Sequence, residues 1–290
     1  MTEPRPILVL GGSGLLGQAI QAALLQRGRA FVAPARSALD VTDHGAVARW
    51  LDRERPVAVI NVAAYSDVAL AERPDQRAEA FRLNRDAPAA LAEICRRLDL
   101  VLVFLSTDFV FDGRLERPYR EQDEPAPLQV YGLSKLEGER AVREAHSRLL
   151  IVRTSTLFGP GRRRRPHYVD AILDQARQGT AIEVVRKPVS SPTYTPDLAV
   201  ALLDLLEREV CGTVHVVNAG QCSRLELACE TVRLAGAGER VAVTERPESP
   251  DGPPRPAYSV LDTSYFAGLT GQPLRRWNEA LADYVEEGSR

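Results

Sequence analysis

The sequence lacks the features that mark several protein classes. Its formal net charge is -2 over 290 residues, so no excess of positive charge draws it to nucleic acid or to an anionic membrane. No apolar run approaches the roughly 20 residues that span a bilayer. The N-terminus lacks the basic, apolar, small-residue order of a signal peptide. The four cysteines, Cys95, Cys211, Cys222 and Cys229, form no Cys-x-x-Cys pair. They read as reduced thiols of a cytoplasmic protein; Cys222 and Cys229 can approach along a helix, but packing accounts for them better. His44, His146, His167 and His215 form no ligand-like cluster, so no metal is expected. No internal repeat is present. What is there is ordinary: 44% apolar and 26% charged residues, in a chain long enough for a large α/β domain with an appendage.

The first organised unit joins a strand to a helix through glycine. Ile7-Leu-Val-Leu10 is a short apolar run of the kind that forms a buried parallel strand. Gly11-Gly-Ser-Gly-Leu-Leu-Gly17 follows, and Leu16, Ile20, Ala23 and Leu24 then recur at helical spacing. A dinucleotide pyrophosphate must reach backbone N–H groups and the positive end of a helix, and side chains would block it. Gly11, Gly14 and Gly17 remove those side chains; Ser13, Leu15 and Leu16 would then offer their backbone. The alternative is a plain Gly-rich turn. The spacing Gly-x-x-Gly-x-x-Gly resembles the variant of extended short-chain dehydrogenases.

A second strand is expected at Ala30 to Ala35. The stretch after it, Pro34-Ala-Arg-Ser37, carries no acid to hold a ribose 2′-hydroxyl; Arg36 stands there instead. A guanidinium suits a 2′-phosphate, which favours NADPH and leaves NADH open. The alternative is a solvated Arg36. Asp40 can accept from an adenine amino group while Val41 offers its backbone, or it can cap a helix from about Asp43 to Glu54. A third strand, Val57 to Asn61, leads into Val62-Ala-Ala-Tyr65, where Ala63, Ala64 and Tyr65 are candidate cofactor contacts and Ser66 a candidate substrate contact. A helical region runs to about Leu98 with Asn84 in its middle. The fourth strand, Leu100 to Leu105, ends in Ser106-Thr-Asp108, whose polar groups fall at the carboxyl edge where ligands bind. Strands alternating with helices predict a doubly wound parallel sheet of the Rossmann type.

Tyr131 and Lys135 lie four apart in Gln129-Val-Tyr-Gly-Leu-Ser-Lys-Leu-Glu137. On a helix they share a face. A cation beside a phenol favours phenolate, so Lys135 is expected to lower the Tyr131 pKa and fit it for proton transfer. In isolation, the pattern is also what a solvated helix produces by chance.

Six motifs occur in order: Gly-Gly-Ser-Gly-Leu-Leu-Gly, Leu-Asp-Val-Thr-Asp, Val-Ile-Asn-Val-Ala-Ala-Tyr, Ser-Thr-Asp-Phe-Val-Phe-Asp-Gly, Val-Tyr-Gly-Leu-Ser-Lys and Ser-Ser-Pro-Thr-Tyr. With Arg255-Pro-Ala-Tyr-Ser-Val-Leu-Asp262 they span nearly the whole chain. The sequence resembles the dTDP-4-dehydrorhamnose reductase family, a branch of the extended short-chain dehydrogenase/reductases. The resemblance implies hydride transfer from NADPH to the C4 ketone of a nucleotide-linked 4-keto-6-deoxy sugar. It implies catalytic roles for Thr107, Tyr131 and Lys135, with Lys135 also on the nicotinamide ribose. It places Asp108, Phe109 and Thr156 beside the substrate. The expected organisation is a nucleotide-binding domain over 1–157 and a mainly substrate-binding part over 158–290, some of whose segments return to the sheet. The expected partner is the nucleotide sugar, and a homodimer is left open.

Two departures bear on the sugar. The family commonly has Trp where this chain has Thr156, in Arg153-Thr-Ser-Thr-Leu-Phe-Gly159. Phe109, His167 and Tyr194 are the candidates to fill that space. Arg162 to His167 stands where the family is often Gly- and Asn-rich, and its run of four arginines, Arg162 to Arg165, is either solvated or a diphosphate contact. Pro247 to Pro256 reads as a structured loop over the cleft or a lid. Two other functions compete: an epimerase or dehydratase, the dehydratase form opposed by Phe109 where a second acid is needed, and a regulatory cofactor-binding subunit, against which the intact Thr107, Tyr131 and Lys135 set stands.

Overall fold

A computed structural model describes residues 5–161, 166–247, 249 and 252–288. The nucleotide-binding half runs β1 (Ile7–Leu10), α1 (Leu15–Gln26), β2 (Phe31–Val32), α2 (His44–Glu54), β3 (Ala58–Asn61), α3 (Val68–Ala71), α4 (Pro74–Phe81), α5 (Ala87–Arg97), β4 (Val101–Thr107), α6 (Val130–Ala145) and β5 (Leu149–Thr154). Then come β6 (Leu157–Phe158), α7 (Tyr168–Gln178), β7 (Ile182–Val184), β8 (Val189–Ser190), β9 (Thr193–Tyr194), α8 (Thr195–Glu207) and β10 (Gly212–His215). The chain closes with β11 (Cys222–Ser223), α9 (Arg224–Leu234), β12 (Val243–Glu245), α10 (Ser264–Thr270) and α11 (Trp277–Glu287).

Six strands form one parallel sheet in the order β10-β5-β4-β3-β1-β2. Its alternating side chains feed two cores. Ile7, Val9, Val103, Leu150 and Val214 pack on α1 and α8, while Leu8, Leu10, Leu102, Phe104 and Ile151 pack on α2, α5 and α6. Covering both faces is what makes every residue of β1, β3 and β5 buried. The doubly wound sheet is therefore as the apolar runs predict. β10 joins its edge from beyond residue 158. The smaller lobe packs α7, α9 and the β7–β12 pair around Ile172, Ile182, Ala228 and Val232.

One expectation is corrected. The second strand is only Phe31–Val32 rather than Ala30 to Ala35; it is the sheet's edge, and Pro34 has no N–H for a ladder. The helical region runs to Arg97 as expected, with a π-turn at Arg82–Asp86 inside it. There the Asn84 side chain accepts from Tyr65 N (2.9 Å) and donates to Tyr65 O (3.0 Å) and Ser134 Oγ (2.9 Å), tying the β3 loop to α6. No helix among the described residues is long and apolar enough to cross a membrane.

Candidate active site

Two clefts open at the carboxyl edge of the sheet and meet at Tyr131. The first, of about 410 Å³, is lined by Gly11, Ser13, Gly14, Leu15, Leu16, Gly17, Arg36, Asp40, Val41, Ala63, Ala64, Tyr131 and Lys135. The second, of about 720 Å³, is lined by Thr107, Asp108, Phe109, Thr156 and, from the smaller lobe, His167, Tyr168, Arg224 and Arg255. Leu15, Ser66, Leu105, Ser106, Tyr131 and Leu157 face both.

The first cleft is a backbone surface. Gly17 lies so close beneath the β1–α1 turn that a Cβ there would come within 2.3 Å of Gly11 O. Gly11 has φ +83° and a Cβ would meet Ala63 N at 2.6 Å. Gly14 caps α1 with no side-chain bond, so the helix's first N–H groups stay open to the cleft. These are the features a dinucleotide pyrophosphate needs. Arg36 stands at the rim, 65% exposed, with its Nε 3.0 Å from Asp40 Oδ2. Burial pushes the Asp40 carboxyl up, but two Thr42 donors and Arg36 outweigh it and hold the group at about 2. Asp40 therefore does not cap α2; Asp43 does, accepting from Ala46 N at 2.8 Å.

Tyr65 does not line the cleft, contrary to expectation. Its ring turns into the cluster of Phe81 and Val130, and its hydroxyl donates to Gln76 (3.1 Å). The backbone bonds to Asn84 fix that orientation. Ala63 and Ala64 remain at the wall.

Tyr131 and Lys135 sit on α6, which lies hard against β4. A Cβ on Gly132 would meet Phe109 O at 2.1 Å, so only glycine permits this approach. Gln129 caps the helix through Gly132 N (2.9 Å), and Val130 N donates to Glu72 (2.6 Å). The electrostatics differ from the sequence expectation. Burial raises the Tyr131 phenol to about 12, against the Thr107 hydroxyl, which lowers it. Burial likewise lowers Lys135 to about 7, opposed by Glu139. Lys135 Nζ sits 4.1 Å from the centre of the Phe104 ring. Burial sets the Tyr131 pKa, the expected lowering by Lys135 is not seen, and the phenol keeps its proton at neutral pH.

Thr107 is tied in. Its hydroxyl donates to Asp108 Oδ1 (3.1 Å) and accepts from Phe109 N (3.2 Å). Asp108 also accepts from Ser155 Oγ (2.8 Å) and Ser259 Oγ (2.6 Å); burial still lifts it to about 6. Phe109 meets the Tyr131 ring edge-on at 6.2 Å. Thr156, at φ +41°, bonds Ser190 Oγ at 2.9 Å. Of the residues expected to fill the space beside it, Phe109 and His167 line the cleft. Tyr194 does not: it is buried against Phe158 and Tyr284, with its hydroxyl on Glu287. The run Arg162 to Arg165 lies outside the described residues, as does part of Pro247 to Pro256.

Two cations were missed by sequence reasoning. Arg224, at the start of α9, stacks over the Tyr168 ring at 4.9 Å, and Tyr168 Oη donates to Arg224 O (2.8 Å). Burial, then the nearby Arg255, lower its pKa to about 10, which leaves it charged at neutral pH. Two like charges converge on one wall. Arg255 opens the Arg-Pro-Ala-Tyr motif, a signal in hand; Arg224 had none.

The fold and the Thr107, Tyr131 and Lys135 arrangement define an extended short-chain dehydrogenase/reductase. Residues 5–290 match the family described as RmlD substrate binding domain. A dTDP-4-dehydrorhamnose reductase of Streptomyces griseus is 39% identical over 97% of this chain and 93% of its own length. A dTDP-4-keto-6-deoxy-D-glucose reductase of Streptomyces niveus is 36% identical over 94% of each chain. Among solved structures, the dTDP-4-dehydrorhamnose reductase of Bacillus anthracis in complex with NADP superposes with a TM-score of 0.91, at 30% identity, covering 98% of this chain and 99% of that one. This chain belongs to the dTDP-4-dehydrorhamnose reductase family.

Proposed function

We propose that this protein reduces the C4 ketone of a nucleotide-linked 4-keto-6-deoxy sugar with NADPH. The observation that carries the reading is the junction of the two clefts at Tyr131. Gly11 to Gly17 and Arg36 would hold NADPH, which would supply the hydride when bound. Tyr131, protonated at neutral pH, gives its phenolic proton to the C4 oxygen; an alkoxide is the stronger base, so a raised phenol pKa does not prevent the transfer. Lys135 orients the nicotinamide ribose. Thr107, whose hydroxyl is held at the strand end by Phe109 N, turns that hydroxyl from Asp108 to donate to the developing oxyanion. Arg224 and Arg255 hold the diphosphate, a role suited to paired guanidinium groups.

The sugar follows from Thr156. Phe109 and His167 line the same cleft as Thr156, while Tyr194 is buried elsewhere; Thr156 in place of the family's Trp opens room there, which supports a hexose differing from the rhamnose precursor in bulk or stereochemistry. The four free thiols accord with a cytoplasmic location. A homodimer belongs to the same reading, which light scattering in solution decides. The functional test is a panel of dTDP-, UDP- and GDP-linked 4-keto-6-deoxy sugars with NADPH, followed by product stereochemistry. Turnover of none of them would defeat the proposal.

A further inference from the structure

A buried charged cluster lies behind the catalytic face, and no step above uses it. Glu139 is wholly buried and Arg153 is 2% exposed. Arg153 grips Glu139 with two bonds, Nε to Oε1 (2.9 Å) and Nη2 to Oε2 (2.6 Å), and Ser106 Oγ donates to the same Oε1 (2.5 Å). The Arg153 guanidinium lies 5.1 Å from the Phe111 ring centre, and its Nη1 is 3.5 Å from His215 Nε2. Ser106, Arg153 and His215 are direct register partners on β4, β5 and β10, so one row across the sheet holds the cluster. An apolar pair of similar size would generally stabilise the fold as well as a buried ion pair, and the surrounding strands are apolar. Stability alone does not account for it.

Its placement does. Glu139 lies one helical turn beyond Lys135 on α6. Ser106 immediately precedes Thr107. Arg153 is two residues from Ser155, which bonds Asp108. We propose that Glu139, held by Arg153 and Ser106, is a positioning residue for the reduction: it fixes α6 to the Thr107 strand end and sets a negative charge one helical turn from Lys135. This deepens the reductase reading and rests on it. Lys135 meets the Phe104 ring of β4, with Glu139 one turn further along α6 as the charged group acting on it; Tyr131 and Ser106 line the first cleft beside it. Glu121 accepts from His215 N (2.9 Å) further back. His215 is neutral, pushed down to about 3 by burial and then by Arg153. Glu139 is the carboxylate whose field raises the proton affinity of Lys135 against burial.

The sign follows. Removing the carboxylate lowers the Lys135 pKa, so whatever needs the ammonium fails at a lower pH. The test compares wild type, Glu139→Gln and the double variant Glu139→Gln/Arg153→Met, which removes both members of the buried Glu139–Arg153 pair. Two quantities are followed against pH: NADPH affinity by fluorescence, and kcat/KM on the best keto sugar. The alkaline limb of both should move down by about one pH unit or more in Glu139→Gln and in the double variant. A double variant with the wild-type limb would make the cluster purely structural and overturn the proposal, as would loss of folding in the double variant. A shifted binding limb without turnover of any keto sugar, in wild type included, would keep the positioning role and defeat the reductase reading instead.

Discussion

The two clefts are built by different means. The cofactor cleft is made of backbone: Gly11, Gly14 and Gly17, the open end of α1, and the small residues after β3. It comes from short, contiguous segments, and each follows a strand. The substrate cleft is made of side chains brought from β4, β5, α7, α9 and the loop before α10. A backbone site is defined by which residues are missing, and a glycine pattern records that directly. A side-chain site is defined by orientation, which sequence spacing records poorly.

The comparison breaks most decisively at the seam. Tyr131→Phe should lower kcat by about 10²–10⁴-fold, the usual contribution of general acid catalysis, while NADPH affinity stays near wild type. Steady-state kinetics and fluorescence titration read the two separately; near-normal turnover would remove Tyr131 from its role. Arg224→Met tests whether the second cleft belongs to the nucleotide sugar. It should raise KM for the sugar by about 10- to 100-fold, the range of a lost charge-assisted bond, with the KM for NADPH unmoved. An equal rise in both would mean the two clefts are not separate.

The legibility of the fold follows the same division. β1 and α2 stand where the sequence predicts them, because each fills a core face. The π-turn at Asn84 was not legible, since no local pattern distinguishes it from helix; a side chain bridging Tyr65 and Ser134 holds it. Tyr65 was misplaced because its position at a strand end says nothing about which way its ring turns. The Tyr131 and Lys135 pair was legible as a face but not in its electrostatics, because burial depends on Phe104 and the packing of α6. Arg224 sits far along the chain in a segment with no motif, and only the approach of the smaller lobe brings it to the cleft.

Arg36→Asp sharpens the comparison from the cofactor side. It should move the kcat/KM ratio from NADPH towards NADH by about tenfold at most, since the exposed guanidinium is already paired with Asp40. An unchanged ratio would place Arg36 in solvent only. Lys135→Met should give a smaller, pH-dependent effect on stability. The folded state holds Lys135 at about 7, below its usual 10.5, so the unfolded chain binds more protons between those values and wild-type stability rises with pH across that window. The variant should therefore melt higher than wild type near pH 7, and the gap should close towards pH 10. A gap that does not change with pH would mean that Lys135 is not desolvated.

The central claim is that hydride passes from the first cleft to a ketone carbon in the second. NADPH deuterated at both positions of the nicotinamide C4 tests it with a nucleotide-linked 4-keto-6-deoxy sugar, the product being read by mass spectrometry and NMR. One deuterium at sugar C4 is the predicted result. No deuterium at sugar C4, with the label kept on the nicotinamide, would contradict the account.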